Sequence, residues 1–162
     1  LGLMKGGKYT NQSACRSPRN LASCASGPVR RVSEPSARIQ QLTVRADGQW
    51  ATDLRLENFS SIGMRFDRVD LALTVAGQDA GRLTAQPALS IGKESADVVS
   101  VTLAPSAAAK LAVADALAAG RGVEYTLKGT VDATPDEARQ RNFKIDRSSA
   151  LSPAPGLPGV LR

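Results

Sequence analysis

The sequence predicts a mainly β protein, an antiparallel two-sheet sandwich with one α-helix near residues 105–119. Three observations carry that expectation. Apolar and polar residues alternate with period two in seven or so short runs, the pattern of strands with one buried and one wet face. Turn residues separate the runs at the spacing typical of sandwiches. A single alanine-rich run, Pro105 to Gly120, breaks the alternation. A partly open barrel is the alternative arrangement of the same strands.

The chain is organised around Trp50 to Val75. Thr52, Leu54 and Leu56 alternate with Asp53, Arg55 and Glu57, and Leu71, Leu73 and Val75 alternate with Ala72 and Thr74. Asn58 to Gly63 (NFSSIG) supplies turn chemistry between them. The strands within Thr52–Glu57 and Leu71–Val75 are therefore expected to pair antiparallel and line the core. Before them, Ala37 to Arg45 reads as a strand with Leu42 and Val44 on one face, and Asp47-Gly48 as a hairpin signal.

After them, Gly77 to Arg82 (GQDAGR) reads as a turn into a short strand over Leu83 to Gln86, which Pro87 limits to an edge or ends. Ala88 to Ile91 gives a further short piece before the Gly92-Lys93 turn, and Val99, Val101 and Leu103 mark the next strand. In the helix, Pro105 or Ser106 opens and Gly120 closes an alanine-rich run. Ala107, Leu111, Ala114, Leu117 and Ala118 form the stripe expected to pack on the sheet. Val123, Tyr125, Leu127 and Val131 return to strand alternation, with Gly129 marking a bulge. Thr134 to Glu137 reads as a turn, and Phe143 and Ile145 mark the last strand.

Composition divides the chain in three. Residues 1–36, rich in Gly, Ser, Pro and Arg without periodicity, read as a disordered leader. Residues 37–147 are the sandwich, and residues 148–162 a Pro-rich tail. With aromatics at 4%, the core must be aliphatic. No run reaches the roughly 18 apolar residues that span a bilayer.

The net charge of +6 raises the question of a nucleic-acid partner. The leader holds six basic residues against one acidic, whereas residues 37–147 hold 14 of each sign, interspersed. A nucleic-acid binder concentrates basic residues on its folded face, so no such partner is expected.

Catalytic and metal chemistry has little to build on. With no histidine there is no Ser-His-Asp or Cys-His system and no ordinary zinc site. Asp67 with Asp70, and Asp136 with Glu137, are the candidate carboxylate pairs, but each lies in or beside a turn among basic residues, where carboxylates are normally solvated. Neither a calcium-loop nor a phosphate-loop motif occurs, and the G-x-x-x-G of Gly77 to Gly81 belongs to a strand turn. No enzyme activity, cofactor or metal is expected.

Both cysteines, Cys15 and Cys24, lie in the leader, so no disulfide framework holds the core. Leu21-Ala22-Ser23-Cys24 has the form of a bacterial lipobox, which makes Cys24 the candidate lipid-attachment residue. The segment Gly7 to Asn20 before it is polar, where a secretory signal needs an apolar run of about 7–15 residues. A chance LASC in a Ser/Ala-rich linker is the other reading.

With the strands placed, the pattern resembles the late-embryogenesis-abundant type 2 family, or water-stress and hypersensitive-response (WHy) domain. The residues that carry the resemblance are Ile39 to Val44, Leu54 to Asn58, Leu71 to Gly77, Pro105 with its helix, Tyr125 to Val131, and the closing Leu151 to Gly156, which is similar to bacterial members. In the family a proline commonly follows the asparagine of the L-x-N turn, where this chain has Phe59 after Asn58. The resemblance implies an immunoglobulin-like or fibronectin-III-like sandwich with one helix. It implies a non-catalytic role in desiccation and water stress, through non-specific protective contacts with other proteins. It also implies, where Cys24 is acylated, an exported lipoprotein, which Ala25 rather than Asp after Cys24 would sort to the outer membrane, facing the periplasm. Asn58 carries over as a structural turn residue only. An accessory sandwich domain that binds one specific partner protein is the alternative function.

Overall fold

The computed structural model describes residues 30–162. Nine strands and one helix follow in order: β1 Ser36–Val44, β2 Trp50–Asn58, β3 Met64–Val75, β4 Gln78–Ala85, β5 Leu89–Ile91, β6 Ser95–Leu103, α1 Ala107–Ala119, β7 Val123–Pro135, β8 Arg141–Leu151 and β9 Val160–Leu161. They form two antiparallel sheets. One is ordered β6-β2-β1-β9; the other is β4-β3-β7-β8, with β5 paired to the first residues of β3. Among the described residues, the two-sheet sandwich with one helix is thus the architecture, and the strands form two separate sheets rather than one barrel.

Alternation decides what faces inward. In β2, Trp50, Thr52, Leu54, Leu56 and Asn58 are buried while the residues between them are half-buried. In β3 the inward set is Met64 and Phe66, then Val69, Leu71, Leu73 and Val75. The change of phase comes from a β-bulge between Phe66 and Arg68. β1 has a bulge of its own between Ile39 and Gln41, which keeps both Ile39 and Leu42 in the core. One extra residue re-aims everything after it.

The strands within Thr52–Glu57 and Leu71–Val75 do not pair. β2 lies between β1 and β6, and β3 lies in the opposite sheet between β4 and β7. Asn58 to Gly63 is an arch from one sheet to the other rather than a hairpin turn. Both strands line the core as expected, because inward alternation is the same for strands that sit side by side and for strands that face each other.

Three other expectations are corrected. In α1 the buried residues are Ala109, Val113 and Ala116, whereas Ala107, Leu111, Ala114 and Ala118 are exposed, Leu111 by 72%. A helix that is apolar nearly all round offers little contrast between its faces, and here tertiary packing chose the other one. Gly129 is not bulged. It sits in regular register between Leu71 and Ile145, where a Cβ would stand 2.1 Å from the Asp70 carbonyl oxygen. Its bareness serves close backbone approach. The expected strands were also too short: β4 begins at Gln78, after a turn whose two residues Ala76 and Gly77 both have positive φ, the geometry of a two-residue hairpin.

The segment 148–162 is woven into the sandwich. β8 continues to Leu151, and the chain turns back so that Leu161 and Val160 pair with Leu42 and Thr43 of β1. On its other side this short strand bonds to Ser152, with Ser152 N–H to the Arg162 carbonyl at 2.7 Å and the reciprocal bond at 2.9 Å. Leu151 and Leu161 are buried. The helix ends are satisfied as the sequence suggested: Ser106 Oγ accepts the Ala109 N–H, and Gly120 at φ 68° closes the C-terminus while Arg121 N–H reaches the Ala116 carbonyl.

Candidate functional site

The arch after β2 is densely hydrogen-bonded. Asn58 ends that strand with its side chain inward and is 1% exposed. Its Nδ2 donates to the carbonyls of Ile62 at 2.9 Å, Gly92 at 3.0 Å and Ile91 at 3.1 Å. Its Oδ1 accepts the Ser60 N–H at 2.9 Å. One amide therefore fixes the arch and the turn after β5 together. Two donor hydrogens serve three carbonyls, so one bond is shared.

Around this node runs a strap of three residues. Ser61 Oγ accepts the Arg31 N–H at 2.7 Å, and the Ser61 N–H returns to the Arg31 carbonyl. The buried Ser60 Oγ accepts the Ser33 N–H at 2.8 Å. The Arg31 guanidinium donates to the Phe59 carbonyl at 2.9 Å and to Ser33 Oγ, and pairs with Glu94 at 3.5 Å. Beside it lies an open cleft of about 560 Å³, lined by Arg31, Arg55, Glu57, Phe59, Glu94 and Ser95 among others. Phe59, which stands where a proline was expected, is 46% exposed at this cleft. The cleft's charges oppose one another: Arg31 faces Glu94, and Arg55 lies 3.9 Å from Glu57. Alternation alone does not disclose this assembly, because its parts come from three separate segments.

The candidate carboxylates Asp67 and Asp70 are held by different partners. Asp67 sits on the β3 bulge, where it accepts from Arg65 Nε at 2.6 Å, Thr134 Oγ1 at 2.6 Å and Gln140 Nε2 at 3.0 Å. Burial pushes its carboxyl up, but the bonds from Gln140, Thr134 and Arg65, with the Arg65 charge, outweigh that and hold it below the ordinary aspartate value. Asp70 belongs to a different partner, Arg82, at 2.7 Å. Asp136 and Glu137 occupy the β7–β8 turn, where the Asp136 N–H donates to the Gly63 carbonyl at 3.0 Å. Among the described residues, no group of three or more His, Cys, Asp or Glu could hold a metal ion. Nor is any described helix long and apolar enough to cross a membrane. Cys24, with the whole lipobox, lies outside the described residues.

Sandwich and node together define an antiparallel β module whose first arch is locked by a buried asparagine. A model of the family described as Late embryogenesis abundant protein (LEA_2) matches residues 53–147, more than half of the chain. The chain belongs to that family. No curated protein matches it. Among solved structures, it is similar to a late embryogenesis abundant protein at 13% identity, with 88% of this chain and 79% of that one covered and a TM-score of 0.49. A protein from Arabidopsis thaliana solved in solution gives 12% identity, 78% and 82% coverage, and a TM-score of 0.46. A crystallised protein from Archaeoglobus fulgidus gives 12% identity, 76% and 98% coverage, and a TM-score of 0.42.

Proposed function

We propose that this chain is a non-enzymatic stress-protective protein of the water-stress (WHy) type, which acts through its surface on other proteins. The family match over residues 53–147 is the observation that carries this reading. The internal bonding agrees with it. Asn58 spends its amide on the fold, and Asp67 and Asp70 are held by neighbours rather than presented as a reactive pair. The surface of the sandwich mixes both signs evenly, which suits many weak contacts better than one charged ligand.

In the same proposal Cys24 is an acylated anchor, and the sandwich is displayed from the outer membrane into the periplasm. The lipobox form of Leu21 to Cys24 supports this part. Two or more acyl chains give stable attachment where one gives marginal binding. Fractionating cells that express the natural gene tests it. A lipid-modified Cys24 amino terminus in the membrane fraction, dispersed by Cys24→Ser, is the expected result; an unmodified thiol in a soluble protein overturns the anchor alone.

The protective activity is tested by drying or freeze–thawing a labile enzyme with this protein or with an inert protein of equal size. Higher recovered activity than with the inert protein is expected. Recovery no better than the inert protein, together with stoichiometric capture of a single partner, would replace the reading with that of a specific accessory domain.

A further inference from the structure

The ladder bonds fix which residues of β6 look outward from the sheet. At the β1–β2 hairpin the Val44 N–H turns away from β2 to the Gly159 carbonyl, and the Arg45 N–H turns toward it, to Gln49. Alternation from that point makes Trp50, Thr52, Leu54 and Leu56 bond to β6 rather than β1. In β6, therefore, Ala96, Val98, Ser100 and Thr102 carry their N–H and C=O groups on the side that pairs with no strand, with β4 approaching at the Leu103 end.

An open edge of this kind invites pairing with another extended chain. The other edges are defended, and β4, an edge of the second sheet, carries Asp79 and Arg82. β8 carries Arg141, Lys144, Asp146 and Arg147, and the edge of β1 is partly covered by β9. β6 is nine residues long, with Val98 and Val99 half-buried and Asp97 its single charged residue.

Asp97 is placed to oppose pairing in two ways. By parity it belongs with Val99, Val101 and Leu103 on the inner face, yet it is exposed. An added strand would enclose its carboxylate among apolar side chains, an unfavourable place for a charge. Its Oδ1 also accepts the Val98 N–H at 2.8 Å, one of the outward donors that a new strand would need.

We infer that Asp97 guards the open edge of β6 against antiparallel pairing with a second copy of this chain. Asp97→Val removes both obstacles and leaves the β2–β6 ladder intact. The purified parent should keep the mass of one chain by light scattering as concentration rises. Asp97→Val should climb toward twice that mass, with amide exchange at Ser100 and Thr102 slowed only in the associated form. Adding Ser100→Pro should return it to one chain, because the Ser100 N–H faces the open side and its loss costs no existing ladder bond. Asp97→Ala, which adds little apolar bulk, gives the same reading if the valine variant folds poorly. The inference is overturned if the parent itself pairs through β6, if both Asp97 variants stay single, or if they associate with Ser100 and Thr102 still exchanging freely.

Discussion

The Ile39 N–H in one sheet donates to the Tyr125 hydroxyl of the other at 3.1 Å, with both residues in the core. Ile39 pairs with Leu54, a residue that bonds to β6, so its N–H points to the edge of β1 that the two residues of β9 do not reach. The bulge after Ile39 sets this phase, and the tyrosine brings an acceptor across the sandwich to meet it.

Tyr125→Phe keeps the ring and removes that acceptor. A buried donor left without a partner costs about 1–3 kcal/mol, so urea unfolding should lose that much stability. Exchange of the Ile39 amide should accelerate by more than that of its neighbours in β1. Unchanged exchange at Ile39 would mean that the hydroxyl is not its partner in solution.

Asn58 predicts a sharper contrast. Asn58→Ala loses four side-chain bonds and frees the arch from the turn after β5. Asn58→Asp keeps the shape but sets a carboxylate against three carbonyl oxygens. The alanine variant should lose roughly 2–4 kcal/mol, as for other broken buried networks. The aspartate variant should lose more at neutral pH and recover part of the difference in acid. Equal midpoints for the two at pH 7 would show that the carbonyls do not converge on position 58.

Thr52 points the other way. It is fully buried between Leu42 and Val101, and its hydroxyl has no hydrogen-bond partner. Thr52→Val replaces that hydroxyl with a methyl group of the same shape. It should raise stability by about 1 kcal/mol, read as a higher thermal midpoint. A loss instead would indicate a bonded water at the hydroxyl.

Asp67 links β3 to β7 and to the following turn, and its carboxyl is held below its ordinary value. The stability it contributes is therefore fully present above the ordinary aspartate range, near pH 4, and is lost as pH falls through the lowered folded value. In urea titrations from pH 7 downward, Asp67→Asn should start less stable than the parent. The gap should narrow once the parent's carboxyl takes up its proton. A gap that stays constant through the acid range would remove Asp67 from the acid response.

Much of the architecture was legible because alternation is a local signal. The strands around Leu54 and Leu73, the Asp47-Gly48 hairpin and the helix bounded by Ser106 and Gly120 are each set by neighbouring residues. Which strands share a sheet is not local, and the arch at Asn58 looks the same as a hairpin until its partners at Ile91 and Gly92 are known. The packed face of α1 was equally hidden, since Leu111 and Val113 offer similar apolar surface on opposite sides. The two-residue β9 is too short to alternate. Tyr125 and Thr52 read as ordinary inward strand residues; only the opposite sheet distinguishes the bonded hydroxyl from the orphaned one.

The ion pairs of Arg31, Arg38, Arg45, Arg55, Arg65, Arg82 and Arg121 keep their basic side chains at least 32% exposed, while the acidic partners Asp67, Glu57 and Asp70 are half-buried. When water is withdrawn, ionic strength rises, and the screening distance contracts from about 8 Å at 0.15 M to about 3 Å at 1 M. Pairs of this kind contribute at most about 1 kcal/mol each, so their fading takes little from the fold. The aliphatic interior is not screened, and solutes excluded from the protein surface strengthen burial as they concentrate. Where the solutes that concentrate are ones excluded from protein surfaces, this sandwich therefore loses little from its ion pairs and gains from stronger burial.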